Sequence, residues 1–151
     1  MKTIRMMVIL AAALSLVACQ GGKKDAPPET NVAPTLTSTV WQWVEFTNPV
    51  EQFELSDPQN YLVHFQQDGS LNVLADCNRG MGEYSDDQGA LSVGPIAATR
   101  ALCPGDSKGE DFIKYLGVGA RYFFQDGDLF IDLMADGGTM RFSAFTGGMP
   151  E

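Results

Sequence analysis

From residue 39 onward, apolar and polar positions mostly alternate, the period of strands whose two faces meet different surroundings. Tyr61, Val63 and Phe65 alternate with Leu62, His64 and Gln66, and Asp68-Gly69 then leads into Leu71, Val73 and Ala75. Two such runs around a tight-turn pair predict a hairpin. Tyr122 and Phe124 precede a second turn at Asp126-Gly127, after which Leu129, Ile131 and Leu133 alternate with Phe130, Asp132 and Met134. A third turn, Asp136-Gly137-Gly138, leads to Met140, Phe142 and Ala144, with Thr139, Arg141 and Ser143 on a solvated face. These three sequential strands predict a meander. One segment has helical spacing instead: Phe112 and Leu116 stand four apart, Ser107 and Glu110 have capping-box spacing, and Gly117 suits a left-handed stop. A helix of about nine residues cannot stand alone, so Phe112 and Leu116 are expected to cover one side or mouth of the sheet. The fold class expected is mainly β, a small curved antiparallel sheet or barrel of about seven or eight strands with one short α-helix, closure protecting the edges. Trp41 and Trp43 share a strand face, either as core or as an exposed ligand platform.

The first residues carry a different pattern. Lys2 and Arg5 give a positive start, residues 6–18 form an apolar run too short to span a bilayer, and Leu16-Val17-Ala18-Cys19 closes it. That reads as an export signal over residues 1–18, with an ordinary signal peptide or a buried helix as alternatives. Leu-Val-Ala-Cys resembles a bacterial lipobox, which implies cleavage before Cys19 and acylation of that cysteine. Gln20 stands where Asp would signal inner-membrane retention, so in a Gram-negative host the resemblance implies a periplasm-facing anchor in the outer membrane. Several acyl chains hold where one binds only marginally. Residues 19–38 have few apolar groups and include Pro27, Pro28 and Pro34, so they read as the lipidated N-terminus and a tether, leaving residues 39–151 as the domain.

Composition narrows the partners. The 151 residues are 44% hydrophobic with a formal charge of −9. Loss of residues 1–18 would remove Lys2 and Arg5 and leave eight basic against nineteen acidic side chains, a charge of −11. That balance excludes nucleic acid, which needs a basic stripe, and disfavours flat adhesion to anionic lipid. The membrane is therefore expected to be met through Cys19, and an envelope protein is the other partner expected. With Cys19 committed to lipid, Cys77 and Cys103 remain as an even pair: a disulfide in an oxidising compartment, two reduced thiols, or a redox pair that lacks a local Cys-x-x-Cys.

Catalytic chemistry finds little support. His64 is the only histidine, no serine sits in a Gly-x-Ser-x-Gly elbow, and neither Asp126-Gly-Asp128 nor residues 85–89 have EF-hand ligand spacing. No catalytic residue, metal or cofactor is expected, and His64 reads as a structural or surface residue.

Several motifs together resemble the META domain of HslJ-like heat-shock lipoproteins. They are an early Trp41, the Tyr61-Leu-Val-His-Phe65 strand with Asp68-Gly69, Cys77-Asn78-Arg79, Gly82-Glu83-Tyr84, Thr99-Arg100-Ala101-Leu102-Cys103, Glu110 before the helix, and the strands from Tyr122. Gly80-Met81 departs from the family's usual aromatic and small residue. The resemblance spans about residues 40–145 and implies a compact antiparallel β-structure with one helix. It associates the HslJ branch with heat induction and novobiocin resistance, and supplies no catalytic residue. Read physically, Asn78 suits an unusual turn, Gly80 and Gly82 permit positive φ, and Tyr84 can bury its ring while its hydroxyl finds a backbone partner. This is either a stiff corner pinned to Cys103 or a binding loop presenting Asn78, Arg79 and Glu83. The expected role is a non-enzymatic structural or protein-binding module in envelope maintenance or stress tolerance. One alternative is a binder of an apolar ligand or lipid within a barrel lined by Trp43, Phe65, Tyr122 and Phe124. Another is an inhibitor of a secreted hydrolase that presents an acidic loop.

Overall fold

The computed structural model describes residues 34–103 and 105–150. The expected signal segment, the expected acylation site Cys19 and the expected tether up to residue 33 lie outside them. Among the described residues, ten strands and one α-helix follow in order: β1 (Val40–Thr47), β2 (Gln52–Glu54), β3 (Tyr61–Phe65), β4 (Ser70–Ala75), β5 (Asn78–Asp87), β6 (Ala90–Val93), β7 (Ala97–Ala98), α1 (Gly109–Leu116), β8 (Gly119–Gln125), β9 (Asp128–Leu133) and β10 (Thr139–Phe145). The pairings run β1-β3-β4-β5-β6-β8-β9-β10 and back to β1, all antiparallel. The fold is thus an eight-stranded antiparallel barrel, with β2 added beside β1 and β7 beside β5.

The turns form as their residue types require. In the β3–β4 hairpin Tyr61 faces Ala75 and Phe65 faces Leu71, Gly69 takes φ +84°, and Asp68 Oδ1 accepts from the Ser70 N–H at 2.9 Å. Between β8 and β9 both Asp126 (φ 53°) and Gly127 (φ 89°) are left-handed, as a two-residue turn matching strand twist demands. The β8–β9–β10 meander is present. Met140 and Phe142 point inward as the alternation predicts, but Ala144 at the end of β10 is exposed.

Side chains fill the barrel. Trp41, Trp43, Phe46, Phe65, Phe112 and Phe142 have no exposed surface, which places both tryptophans in the core. Trp43 stacks on Phe112 at 5.4 Å between centroids, and Phe112 also meets Tyr61 and Phe142. The helix therefore plugs the barrel through Phe112 and Leu116, the face its spacing predicts.

Both helix ends differ from expectation. The helix begins at Gly109 with Lys108 at the cap position, and the Lys108 side chain makes no capping bond. Ser107 Oγ accepts from the Gly109 N–H at 3.2 Å, while the Lys108 N–H donates to the Tyr61 hydroxyl at 3.0 Å. Ser107 thus accepts from a helix-start amide as expected, but the return bond from Glu110 that would complete a capping box does not form, because docking on β4 sets where the helix starts. A Cβ on Gly109 would lie 2.7 Å from the Ala75 carbonyl oxygen. Gly117 ends the helix at φ −66°, right-handed, with its N–H still donating to Ile113. Gly109→Ala is accordingly expected to destabilise the domain by about 1–3 kcal/mol through overpacking, read from urea unfolding.

The domain also starts earlier than residue 39. Leu36 is buried and its carbonyl accepts from Trp41 Nε1 at 2.9 Å, so residues 34–38 belong to the packed body and not to a tether. Outside the barrel wall, Val40, Leu62 and Leu74 form a second apolar cluster joined by Phe145 and Met149.

On the outer wall Arg141 holds two carboxylates, Glu45 at 2.8 Å and Asp128 at 3.0 Å. Hydrogen bonds from Gln52 first and Arg141 second pull the Glu45 carboxyl below its ordinary value. A carboxylate whose folded pKa is lowered adds stability above its unfolded pKa, near the ordinary carboxylate value, and loses it as pH falls through the folded pKa. Glu45→Gln is expected to flatten that acid limb and to cost about 1 kcal/mol or less at neutral pH, measured by urea unfolding across pH.

Candidate functional site

The Cys77 corner is built by β5 and the segment that follows β7. Cys77 and Cys103 are disulfide-bonded, with 1.99 Å between sulfurs and 5.5 Å between Cα atoms, which decides among the three states open to the pair. Asn78, the first residue of β5, then grips the opposite chain through its carboxamide. Its Oδ1 accepts from the Ala101 N–H at 2.7 Å and from Thr99 Oγ1 at 3.0 Å, and its Nδ2 donates to the Ala101 carbonyl at 3.1 Å. Nδ2 also lies 3.2 Å from Cys103 Sγ. One side chain thus supplies both halves of a strand pairing where the backbone ladder has ended.

The ladder beside it is closely packed. Gly80 faces Ala98 in β7, the Thr99 N–H donates to the Arg79 carbonyl at 2.9 Å, and the Arg79 N–H donates to Thr99 Oγ1 at 3.0 Å. Neither Gly80 nor Gly82 has positive φ, contrary to expectation. Their missing side chains serve close approach instead. A Cβ on Gly80 would lie 2.9 Å from Ile96 Cγ2, and one on Gly82 would lie 3.1 Å from the Pro95 carbonyl oxygen. Tyr84 behaves as its sequence suggests: its ring meets the edge of Phe65 at 4.9 Å and its hydroxyl donates to the Gln66 carbonyl at 2.7 Å. Burial pushes its phenol up, which keeps that donor protonated.

The motif Asn78, Arg79, Gly82, Glu83, Tyr84 is therefore a strand with two faces, not a loop. Arg79, Met81 and Glu83 stand on the exposed face, and Asn78, Gly80, Gly82 and Tyr84 on the other. The loop at this corner is residues 99–103. Arg100 and Ala101 are exposed, and Leu102 is fully exposed at 101% of its reference surface. A cleft of about 730 Å³ separates this loop from Glu110, Ile113 and Lys114 of α1. Alternation had offered no handle on Leu102, because residues 99–103 belong to no regular element.

The acidic turns have other partners. Asp128 is bound to Arg141, and Asp86 accepts from the Tyr122 hydroxyl at 2.9 Å. Burial first and that hydrogen bond second push the Tyr122 phenol up to about 12. Among the described residues no three His, Cys, Asp or Glu side chains converge as a metal site would need. His64 sits half-buried in β3 opposite Asn72.

A closed eight-stranded barrel with one plugging helix and a disulfide-pinned corner defines a small β-barrel class. The META domain family matches residues 34–145, and the chain belongs to that family. No curated protein matches the sequence. Among solved structures, a protein from Burkholderia xenovorans aligns with TM-score 0.61 at 22% identity, over 81% of this chain and 98% of its own. A DUF4847 family protein from Bacteroides vulgatus aligns with TM-score 0.54 at 13% identity, over 75% of this chain and 96% of its own. Both likenesses concern the fold.

Proposed function

We propose that this chain is a non-enzymatic envelope lipoprotein whose barrel is a protein-binding module, held at the outer membrane through acylated Cys19 and serving envelope maintenance or stress tolerance. One observation carries the binding reading: the barrel interior is occupied by its own side chains. Trp43 and Phe65 have no exposed surface, and Tyr122 and Phe124 pack against the same core. An apolar ligand inside would have to displace them, so recognition falls to the outer surface. There the pinned 99–103 loop and the exposed row of Arg79, Met81 and Glu83 are the rigid feature. Rigid surfaces bind at lower ordering cost than flexible ones.

Site-specific photo-crosslinking in the native envelope tests this. A crosslinker at Leu102, Arg79 or Glu83 should give one discrete protein adduct, and one at Phe123 on the β8–β9 face should not. Equal adducts from all positions, or none from the first three, would sink the reading. Anchoring is tested separately: Cys19→Ser should lose the acyl mass and leave the membrane fraction.

A further inference from the structure

Residues 99–103 combine three properties that flexible surface loops lack. Residues 99–101 run alongside β5 in strand fashion, since Thr99 continues the β7 pairing with Arg79 and Ala101 is held at both its N–H and its C=O by Asn78. It is covalently fixed at Cys103. Between these two anchors stands Leu102, an apolar side chain wholly in water, with Arg100 and Ala101 also exposed. Water disfavours an isolated exposed leucine, and rigid presentation of one next to a strand-like backbone matches a partner with an apolar pocket beside a groove for extended chain. The cleft toward α1 leaves the far side of the loop open to such a partner.

We propose that the 99–103 loop is a substrate-like inhibitory loop for a serine endopeptidase, with Leu102 entering its apolar specificity pocket. This rests on the protein-binding reading and names its partner class. The anchors explain why such a loop would inhibit and not simply be cut. The peptidase serine oxygen bonds to the Leu102 carbonyl carbon, the Leu102–Cys103 peptide bond breaks, and the serine proton passes through the peptidase base to the freed Cys103 amine. Cys103 stays attached to Cys77, and Ala101 stays on Asn78, so both new ends remain in the site. The amine then returns to the carbonyl carbon, expels the serine oxygen with its proton restored, and remakes the peptide bond. The enzyme is held between these states.

The test uses the full chain in mild detergent against chymotrypsin, whose pocket is a hydrophobic slot, and trypsin, whose pocket is acidic. The wild-type chain is expected to inhibit chymotrypsin at near-stoichiometric ratio. Leu102→Asp should weaken inhibition by about 100-fold or more, as loss of a central anchor does. Leu102→Lys should move inhibition to trypsin. Because Leu102 is fully exposed, these variants are expected to keep the fold, which circular dichroism verifies. Absence of chymotrypsin inhibition at roughly hundredfold molar excess would overturn the proposal, since tight protease inhibitors act far below that. So would turnover of the chain as an ordinary substrate, undiminished inhibition by Leu102→Asp, or trypsin inhibition by the wild type through Arg100. A crosslinked adduct at Leu102 without inhibition would sink only the endopeptidase assignment and leave the binding module standing.

Discussion

Trp43→Ala is expected to lower the unfolding free energy by about 4 kcal/mol, enough to leave a marginally stable domain partly unfolded at room temperature. The size follows from its position. Trp43 has no exposed surface, stacks on Phe112 at 5.4 Å, and meets Phe53, Tyr61 and Tyr115 edge-on at 5.7, 6.0 and 6.1 Å. Its Nε1 donates to the Glu45 carbonyl at 2.8 Å. Truncation removes ring contacts from the barrel wall and the plugging helix at once, and neither can collapse into the space without unseating Phe112. Trp43→Phe keeps a ring and loses the donor, so about 1–2 kcal/mol is expected from that change. Urea unfolding followed through Trp41 fluorescence measures both, with the slope on denaturant unchanged. A loss below about 2 kcal/mol for the alanine variant, well under the usual range for a buried tryptophan, would mean the helix does not lean on this ring.

The second large effect belongs to the disulfide. Cys77 and Cys103 are 26 residues apart, and closing a loop of that length removes denatured-chain entropy equivalent to about 3.5 kcal/mol. The double variant Cys77→Ser/Cys103→Ser is expected to melt about 10–20 °C lower. Reductant should depress the wild-type melting temperature by a similar amount and leave the double variant unmoved. If removing the bond leaves the melting temperature unchanged, the Asn78 carboxamide alone holds the 99–103 loop in place.

What could be read from the sequence was local. The 61–75 hairpin and the closing meander are declared by period two and by Asp-Gly pairs, because both signals act within a few residues. The helix face of Phe112 and Leu116 was legible for the same reason. The helix start was not: Gly109 begins it because the Ala75 carbonyl leaves no room for a Cβ, a contact between elements far apart in sequence. Gly80 and Gly82 misled similarly. Turn chemistry is the usual warrant for glycine, but here residues 95–98, which end in β7, fold back against β5 and need the space. At the candidate site the cysteine pair and the importance of Asn78 were visible. That Asn78 reaches across to Ala101, and that Leu102 is left outside, depends on the path of a segment with no periodicity.

Ring closure sets the order in which this domain can become safe. The seven residue pairs joining β1 to β10 tie the first strand to the last, Val40 opposite Phe145 and Thr47 opposite Thr139. A nascent or unfolded chain therefore carries an open β1 edge, with Trp41 and Trp43 beside it, until the final strand arrives. Such edges are templates for pairing with other chains, and contacts of this sequence separation form late. A chain truncated before β10 would accordingly aggregate through β1 and not persist as a smaller barrel.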